Sequence, residues 1–326
     1  MKPDEGSAGR KYMAEQSKNE QHKSVLFEES IDALNIVSDG IYIDGTLGRG
    51  GHSAEILKRL GPKGHLYAFD KDPEAIKHGE ELFADESRFT LVHSSFENLI
   101  NQADAWGIKG KVNGILLDLG VSSPQLDDAK RGFSFMRNGP LDMRMDFSQG
   151  MSAADWVARE KASEIAKVLK EYGEERYAKR IANAIVKARD EAPIETTEQL
   201  ADIVAKAHPA WEKHKHPATR SFQAIRIHIN EELTDLSKCL NQMLEVLAPK
   251  GRMAIISFHS LEDRIVKQFI KKQSKGDDFP VDLPVTASQL NQKLKPVGKM
   301  MKPTDKEIDE NVRARSARLR VAELIA

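Results

Sequence analysis

The stretch Tyr42-Ile43-Asp44-Gly45-Thr46-Leu47-Gly48-Arg49-Gly50-Gly51-His52 is an apolar strand-like run that empties into glycines, followed by a helix-like segment from Ser53 to Leu60. Few folds accommodate that order. Glycines let the backbone approach a ligand where a Cβ would collide, and the N–H groups that open a helix favour anionic ligand groups. A second strand-like run, His65 to Phe69, ends in Asp70, 26 residues after Asp44. A βαβ unit places an acid at that point on ribose hydroxyls, so the pattern predicts a site for a ribose-bearing cofactor.

The arrangement of the loop narrows the cofactor. The dinucleotide fingerprint G-x-G-x-x-G is spaced to cradle a pyrophosphate, whereas this chain reads Asp44-Gly45-x-x-Gly48-x-Gly50-Gly51, with an acid at the end of the strand. A carboxylate beside a pyrophosphate is repelled, but it attracts an ammonium or a sulfonium. S-adenosylmethionine meets that requirement.

Composition removes several function classes. The 326 residues, 40% hydrophobic and 30% charged, suffice for a full core and predict two domains. A single cysteine, Cys239, rules out a disulfide framework and a cysteine metal cluster. No apolar run nears the roughly 18 residues that a membrane span needs, so no membrane partner is expected and the cytoplasm is the natural compartment. Residues 1–21 are polar with mixed Lys and Glu and no apolar h-region, which predicts a disordered extension and no signal peptide.

Strand-like runs recur at Ile41 to Asp44, His65 to Phe69, Phe89 to Val92, Gly114 to Leu119 and Met253 to Phe258, with helical segments between the first four. That alternation predicts a parallel sheet covered on both faces. From about Pro124 to Leu236 the strand signal stops and helices follow one another. Thr196 with Gln199 forms a capping box there, and Phe222, Ile225, Ile229, Leu233, Leu236, Leu240, Leu244 and Leu247 predict one long helix or two nearly continuous ones, stopped by Pro249-Lys250-Gly251. The insert is therefore all-helical.

The fourth strand ends in Asp118, followed by Leu119-Gly120-Val121-Ser122-Ser123-Pro124. Ligands of open parallel sheets bind outside the carboxyl ends of strands, so Asp118 is expected to face both cofactor and substrate. His259 opens the turn after the Ile255 to Phe258 strand and ranks second, because Ser260 with Asp263 there resembles a helix cap.

The formal net charge is −1, but the positive charge is clustered in the second half. Lys206 to His228 holds five Lys/Arg against one acid, and Lys250 to Lys275 holds seven against two. Arg313, Arg315, Arg318 and Arg320 follow. Any one cluster is ordinarily a solvated face, yet their number favours a phosphate-backbone partner. Arg137, Arg144, Lys213, Lys215, Arg220 and Arg226 are the candidate phosphate contacts, and Phe133, Phe135 and Trp211 are candidates for stacking on a nucleic-acid base. His208, His214 and His216 lie beside lysines with no cysteine or Asp ligand nearby, so they are read as polar surface and no metal is expected.

As a set, these residues are recognisable. Asp44-Gly45-Thr46 through Gly50-Gly51-His52, Leu117 to Gln125, Gly132-Phe133-Ser134-Phe135, Gly139 to Asp146, Tyr172-Gly173-Glu174-Glu175 and Ser257 to Arg264 closely resemble the RsmH (MraW) family of bacterial 16S ribosomal RNA (cytosine N4) methyltransferases. The resemblance runs from about His22 to Glu323. It implies an α/β, class I (Rossmann-like) S-adenosylmethionine-dependent methyltransferase sheet over residues 22–123 and 237–326, with the inserted all-helical substrate-recognition domain over 124–236. It further implies a cytosine acceptor in the decoding (P-site) region of the small ribosomal subunit. Gly50, Gly51 and His52 are placed at the donor, Asp70 on its ribose, Phe96 near its adenine, and Asp118 and Gln125 at the rest of the pocket. The family's usual Asn-Pro-Arg-Ala-Arg-Ser is here Asn311-Val312-Arg313-Ala314-Arg315-Ser316, which loosens the approach to the last strand, Ala317 to Ala322.

Without the resemblance, an NAD-dependent oxidoreductase, a non-catalytic ribosome-assembly factor that retains a donor pocket, and a methyltransferase for another amine all stay open, as do monomer and homodimer. Truncation before His22 is expected to leave the melting temperature within a few degrees, because no apolar pattern ties that segment down. A large fall in a thermal melt would contradict this.

Overall fold

The protein is described here from a computed structural model covering residues 24–210, 216–277 and 290–325. The expected N-terminal extension therefore lies outside the described residues. A short helix, α1 (Phe27–Ala33), precedes three strand–helix repeats and a fourth strand, built from β1 (Ile41–Asp44), α2 (Gly51–Arg59), β2 (His65–Asp70), α3 (Pro73–Leu82), β3 (Phe89–His93), α4 (Leu99–Ala105) and β4 (Val112–Asp118). A five-residue helix, α5 (Ser123–Asp127), leaves β4. Then come α6 (Ala153–Arg159), α7 (Ala162–Gly173), α8 (Ala178–Glu191), α9 (Thr197–Ala207), α10 (Ala218–Ile229) and α11 (Glu232–Val246). The chain closes with β5 (Leu247–Ser257), α12 (Ser260–Lys275), β6 (Leu294–Pro296), α13 (Asp305–Glu310) and β7 (Arg318–Leu324).

The strands form one sheet in the order β3-β2-β1-β4-β5-β7-β6. β1 to β5 pair in parallel, while β7 runs antiparallel to both β5 and β6. Alternation along the strands divides the core. Tyr42, Leu66, Leu116, Ala254 and Ile256 pack with α1 and α2 on one face, and Ile43, Phe69, Ile115, Leu117, Met253 and Ile255 pack with α4, α11 and α12 on the other. The helices α6 to α10 gather round a separate core of Trp156, Ile165, Leu169, Ile181, Ile185, Leu200, Val204, Phe222 and Ile225. Thr196 and Gln199 make their capping box at the start of α9.

Two local expectations are corrected. The periodic run from Phe222 breaks into α10 and α11 at Asn230 and Glu231, the latter at φ 53°. Asn230 forces the break: its Nδ2 donates to the carbonyls of Met143 (2.8 Å) and Arg226 (2.9 Å), and its Oδ1 accepts from Met145 N (2.7 Å). The segment Pro249-Lys250-Gly251 does not stop the helix, which has already ended at Val246; it lies in a bulge at the start of β5, where pairing with β4 slips between Val112 and Gly114 and Lys250 sits at φ 64°. The three-residue β6 is too short to leave an alternation in the sequence.

Sheet and insert are joined through buried charge. Arg131 Nη1 donates to Asp72 Oδ2 (2.8 Å) just past β2, and its Nη2 donates to the carbonyls of Arg144 (3.2 Å) and Met145 (2.8 Å). Lys71 Nζ bonds Asp235 Oδ2 (2.7 Å) and the carbonyl of Asn230 (2.8 Å). Because Arg131 and Asp72 are 6% and 5% exposed, Arg131→Ala strands a buried carboxylate and is expected to cost about 3–5 kcal/mol in a urea unfolding experiment. A cost under about 1 kcal/mol would show the junction to be held by packing instead.

Candidate functional site

Strand order reverses between β1 and β4, since the chain runs outward through β2 and β3 before returning beside β1. The carboxyl ends of β1, β2 and β4 therefore open side by side, which is where parallel sheets bind ligands. The glycine loop spans this opening. Gly48 (φ 53°) and Gly50 (φ 75°) take the left-handed backbone that glycine tolerates, and a Cβ on Gly50 would press to 3.0 Å on Leu82 and Phe83. Gly51 and His52 then begin α2, with first-turn N–H groups that have no partner inside the helix.

Three carboxyl groups surround the loop in different states of satisfaction. Asp44 is occupied by the loop itself: Oδ1 accepts from Thr46 N (3.1 Å) and Oδ2 from the Ser53 hydroxyl (2.7 Å). Asp70 Oδ2 accepts from Gly48 N (2.8 Å) and Oδ1 from Asp72 N (2.9 Å), which presents the carboxyl at the end of β2. Burial pushes its pKa up to about 6, with Asp72 and Asp44 adding to the rise. Asp118 is the least satisfied. Its backbone N donates to Thr46 Oγ1 (2.7 Å), but its buried Oδ1 has no hydrogen-bond partner among the described residues. Burial first, then Asp44 and Glu262, push this carboxyl up to about 8. His52 Nδ1 stands 3.9 Å from Asp118 Oδ2, and burial lowers this imidazole to about 4, so it is neutral at physiological pH and offers Asp118 no cation.

Phe96 and Gln125 complete the setting. Phe96 opens the 3-10 turn after β3, and a Cβ placed on Gly45 would lie 3.5 Å from Phe96 Cβ, so Phe96 lies beside the loop and packs partly buried against the sheet core. Gln125 is buried in α5; its Oε1 accepts from Ser122 N (2.8 Å) and its Nε2 donates to Asp72 Oδ2 (2.7 Å). It thereby ties the turn after Asp118 to the turn after Asp70. Sequence reasoning missed Thr46, Asp72 and Arg131, which hold these turns. Only Asp72 carried a signal, as an acid before Pro73 at a helix start.

His259 immediately precedes α12. The expected Ser260–Asp263 cap is displaced by one residue: Glu262 Oε2 accepts from the backbone N–H of Phe258 (2.8 Å) and His259 (3.3 Å). Asp263 is instead drawn to Arg318 and Arg320 on β7 (2.7 Å each). His259 Nε2 lies 2.9 Å from Glu262 Oε1. Although burial pushes Glu262 up, His259, Arg226 and Phe258 N–H hold it below the usual carboxylate range. Glu232, His259 and Glu262 have ligand atoms within 4.8 Å of one another, a spacing that a metal requires. Both Glu232 oxygens, however, accept from Arg226 (2.8 Å each), so the cluster already contains its cation.

That pairing commits Arg226 inside the fold and away from RNA. Arg144 is committed likewise, forked onto Asp142 (2.8 and 2.7 Å) with Nη1 on the carbonyls of Gln149 and Gly150. Arg220 is half-buried near Glu174, whereas Arg137 is exposed. Lys213, Lys215, Trp211 and His214 lie outside the described residues. Phe133 is buried in the insert core, and Phe135 packs edge-on against Phe222 at 5.0 Å. His208 is not polar surface: 11% exposed, it places Nε2 3.5 Å from Glu175. Surface grooves of about 470 Å³ along α11 and about 180 Å³ between Tyr172 and His228 include none of the strand-end carboxyls. No helix among the described residues is long and apolar enough to cross a membrane.

The profile of the MraW methylase family matches residues 19–325. The chain is 59% identical over 304 residues, covering 93% of its length and 97% of the relative's, to the ribosomal RNA small subunit methyltransferase H of Shewanella amazonensis. It is 57% identical over 306 residues, covering 94% and 99%, to the protein of the same name from Legionella pneumophila. Among solved structures, an rRNA methylase from Streptococcus thermophilus aligns over 93% of this chain and 98% of its own, with 11% identity and a TM-score of 0.43.

The state of Asp118 has a consequence for stability. An unfolded Asp ionises near 3.8 and the folded one near 8, so between those values the unfolded chain gains by releasing a proton that the folded chain retains. Stability contributed by this group is complete below about pH 4 and is lost as pH rises towards 8. Asp118→Asn does not titrate, and its melting temperature is expected to exceed wild type by several degrees at pH 8 and to match it near pH 4. Parallel curves across that range would show that Asp118 ionises normally.

Proposed function

The chain belongs to the MraW methylase family, and from that premise we propose that it transfers the methyl group of S-adenosylmethionine to N4 of a cytosine in the decoding region of 16S rRNA, within the small ribosomal subunit. The observation that carries the reading is the unpartnered, desolvated Asp118 carboxyl among Asp44 and Asp70 at the carboxyl ends of three adjacent strands. Such a site is short of positive charge. A ligand with a sulfonium, an ammonium and a ribose answers each part of it, whereas a pyrophosphate would face three acids.

The donor supplies a methyl group already activated by its sulfonium. The residues of the chain have the tasks of binding, alignment and exclusion of water. In this reading Gly50, Gly51 and His52 offer the α2 N-terminus, Asp70 receives the ribose hydroxyls, and Phe96 flanks the adenine. Gln125, through Asp72, keeps the turns after β2 and β4 in register. A neighbouring cation favours the ionised form of Asp118. Cytosine N4 is a poor nucleophile because its lone pair is conjugated into the ring. Hydrogen bonds from its N–H groups to Asp118, or to the carbonyls of Leu119 to Ser122, pyramidalise the nitrogen and stabilise the positive charge that develops on it. His259, beside Glu262 at the end of β5, is the other group available at this edge.

The test is incubation with labelled S-adenosylmethionine and either small subunits or protein-free 16S rRNA from a strain that lacks the activity, with the product nucleoside identified by mass spectrometry. N4-methylcytidine is expected, and Asp118→Ala is expected to lower turnover roughly 100-fold or more. Near-normal turnover of that variant with donor binding intact would remove Asp118 from the chemistry. No product despite measurable donor binding would favour an assembly factor or another amine acceptor.

A further inference from the structure

Asp127, the last residue of α5, receives two arginines from distant parts of the chain. Arg313, in the 3-10 turn Val312–Ser316 near the C-terminus, donates Nη2 to Asp127 Oδ1 (2.7 Å) and Nη1 to Oδ2 (3.5 Å). Arg137, in the loop of the insert that precedes α6, donates Nη1 to the Asp127 carbonyl (2.8 Å). One carboxylate stands against two guanidiniums, so the group keeps a positive charge, and both arginines are exposed with donors left over. Each follows an apolar side chain that the fold leaves in solvent. Met136 is 81% exposed and Val312 is 63% exposed, the two highest values among the exposed large hydrophobics of the described residues. Neither contributes to a core.

The position of this group relative to the candidate site gives it meaning. α5 begins just after the Leu119–Ser122 turn that leaves Asp118, and its five residues span about 8 Å. Asp127 therefore lies one short helix from the acceptor position. Oriented guanidiniums bind phosphate oxygens in a fork, and an exposed thioether beside them offers a polarizable surface to the face of a base.

We propose that Arg137 and Arg313, oriented by Asp127, form a subsite for the phosphates of a single-stranded RNA nucleotide flanking the methylated base, with Met136 against that nucleotide's base. The subsite rests on the RNA-acceptor reading above. It spans the insert and the C-terminal segment, so a flanking strand bridges both while the target base turns in towards Asp118.

The subsite is tested with small subunits and a short single-stranded RNA covering the target, using the Arg137→Gln/Arg313→Gln double variant and Met136→Ser. The double variant is expected to lower the slope of log affinity against log salt by about 1.4 for the RNA, close to 0.7 per lost contact, and to raise KM for subunits roughly tenfold while donor affinity holds. Met136→Ser, a change on a solvated side chain, is expected to raise KM about threefold with the salt slope unaltered. Unchanged slope and KM in a double variant that melts like wild type would overturn the subsite. So would a double variant that loses melting temperature and donor affinity together while Met136→Ser keeps its KM, since the arginines would then be structural. If wild type methylates neither substrate, the RNA reading itself falls and the subsite falls with it.

Discussion

The buried carboxylate of Asp72 connects most of this structure. Its Oδ1 caps α3 through Glu74 N, and its Oδ2 accepts from Gln125 Nε2 and Arg131 Nη1. Its own N–H is bonded by Asp70, the acid at the end of β2. One side chain therefore fixes the turn that presents Asp70, the turn that follows Asp118, and the loop in which Arg131 gathers Arg144 and Met145. Removing a partner from such a site leaves a charge in a medium that cannot solvate it, so the pieces stay together or fail together. Asn230 continues the chain of contacts from Met145 into the helical insert, and Lys71 closes it onto Asp235.

Around this junction the protein maintains an electrostatic deficit. Asp70 and Asp118 are pushed up to about 6 and 8 by burial and by the shared neighbour Asp44, with Asp72 adding at the first and Glu262 at the second, while His52 is kept neutral. A fold gains nothing by this, because a protonated, partly unbonded carboxyl is worse for stability than an apolar side chain of the same size. The deficit is consistent with a site shaped for a cationic ligand, with stability given up where binding needs it. The second buried cluster, Arg226–Glu232 with His259 and Glu262, shows the opposite arrangement, in which anion and cation are both supplied from within.

Much of this was legible in the sequence. The strands β1 to β5 announce themselves because buried parallel strands are short apolar runs punctuated by turns, and the glycine loop because only glycine permits its backbone. Asp44, Asp70 and Asp118 could be marked because each ends a strand. Less legible was what each side chain touches. Arg226 and Arg144 look like phosphate ligands in a basic cluster, yet Glu232 and Asp142 take their guanidiniums. Ser260 and Asp263 look like a cap, yet Glu262 makes it and Asp263 turns to Arg318 and Arg320. The long helix breaks at Asn230 for the sake of a loop some 85 residues earlier.

By itself, the sequence determined the α/β class, the interrupted sheet with its helical insert, and the family with its donor, because hydrophobic period, glycine placement and motif order are local properties that survive in one dimension. Tertiary structure decided which charges are occupied and which are left for a ligand. It distinguished Asp44, filled by Thr46 and Ser53, from Asp118, left with an orphan oxygen, and Arg226, paired in the interior, from Arg137 and Arg313, turned outward on Asp127. The reason is physical: the state of a carboxylate or guanidinium is set by the dielectric and by partners within a few ångströms, and those partners come from residues as many as 281 positions away.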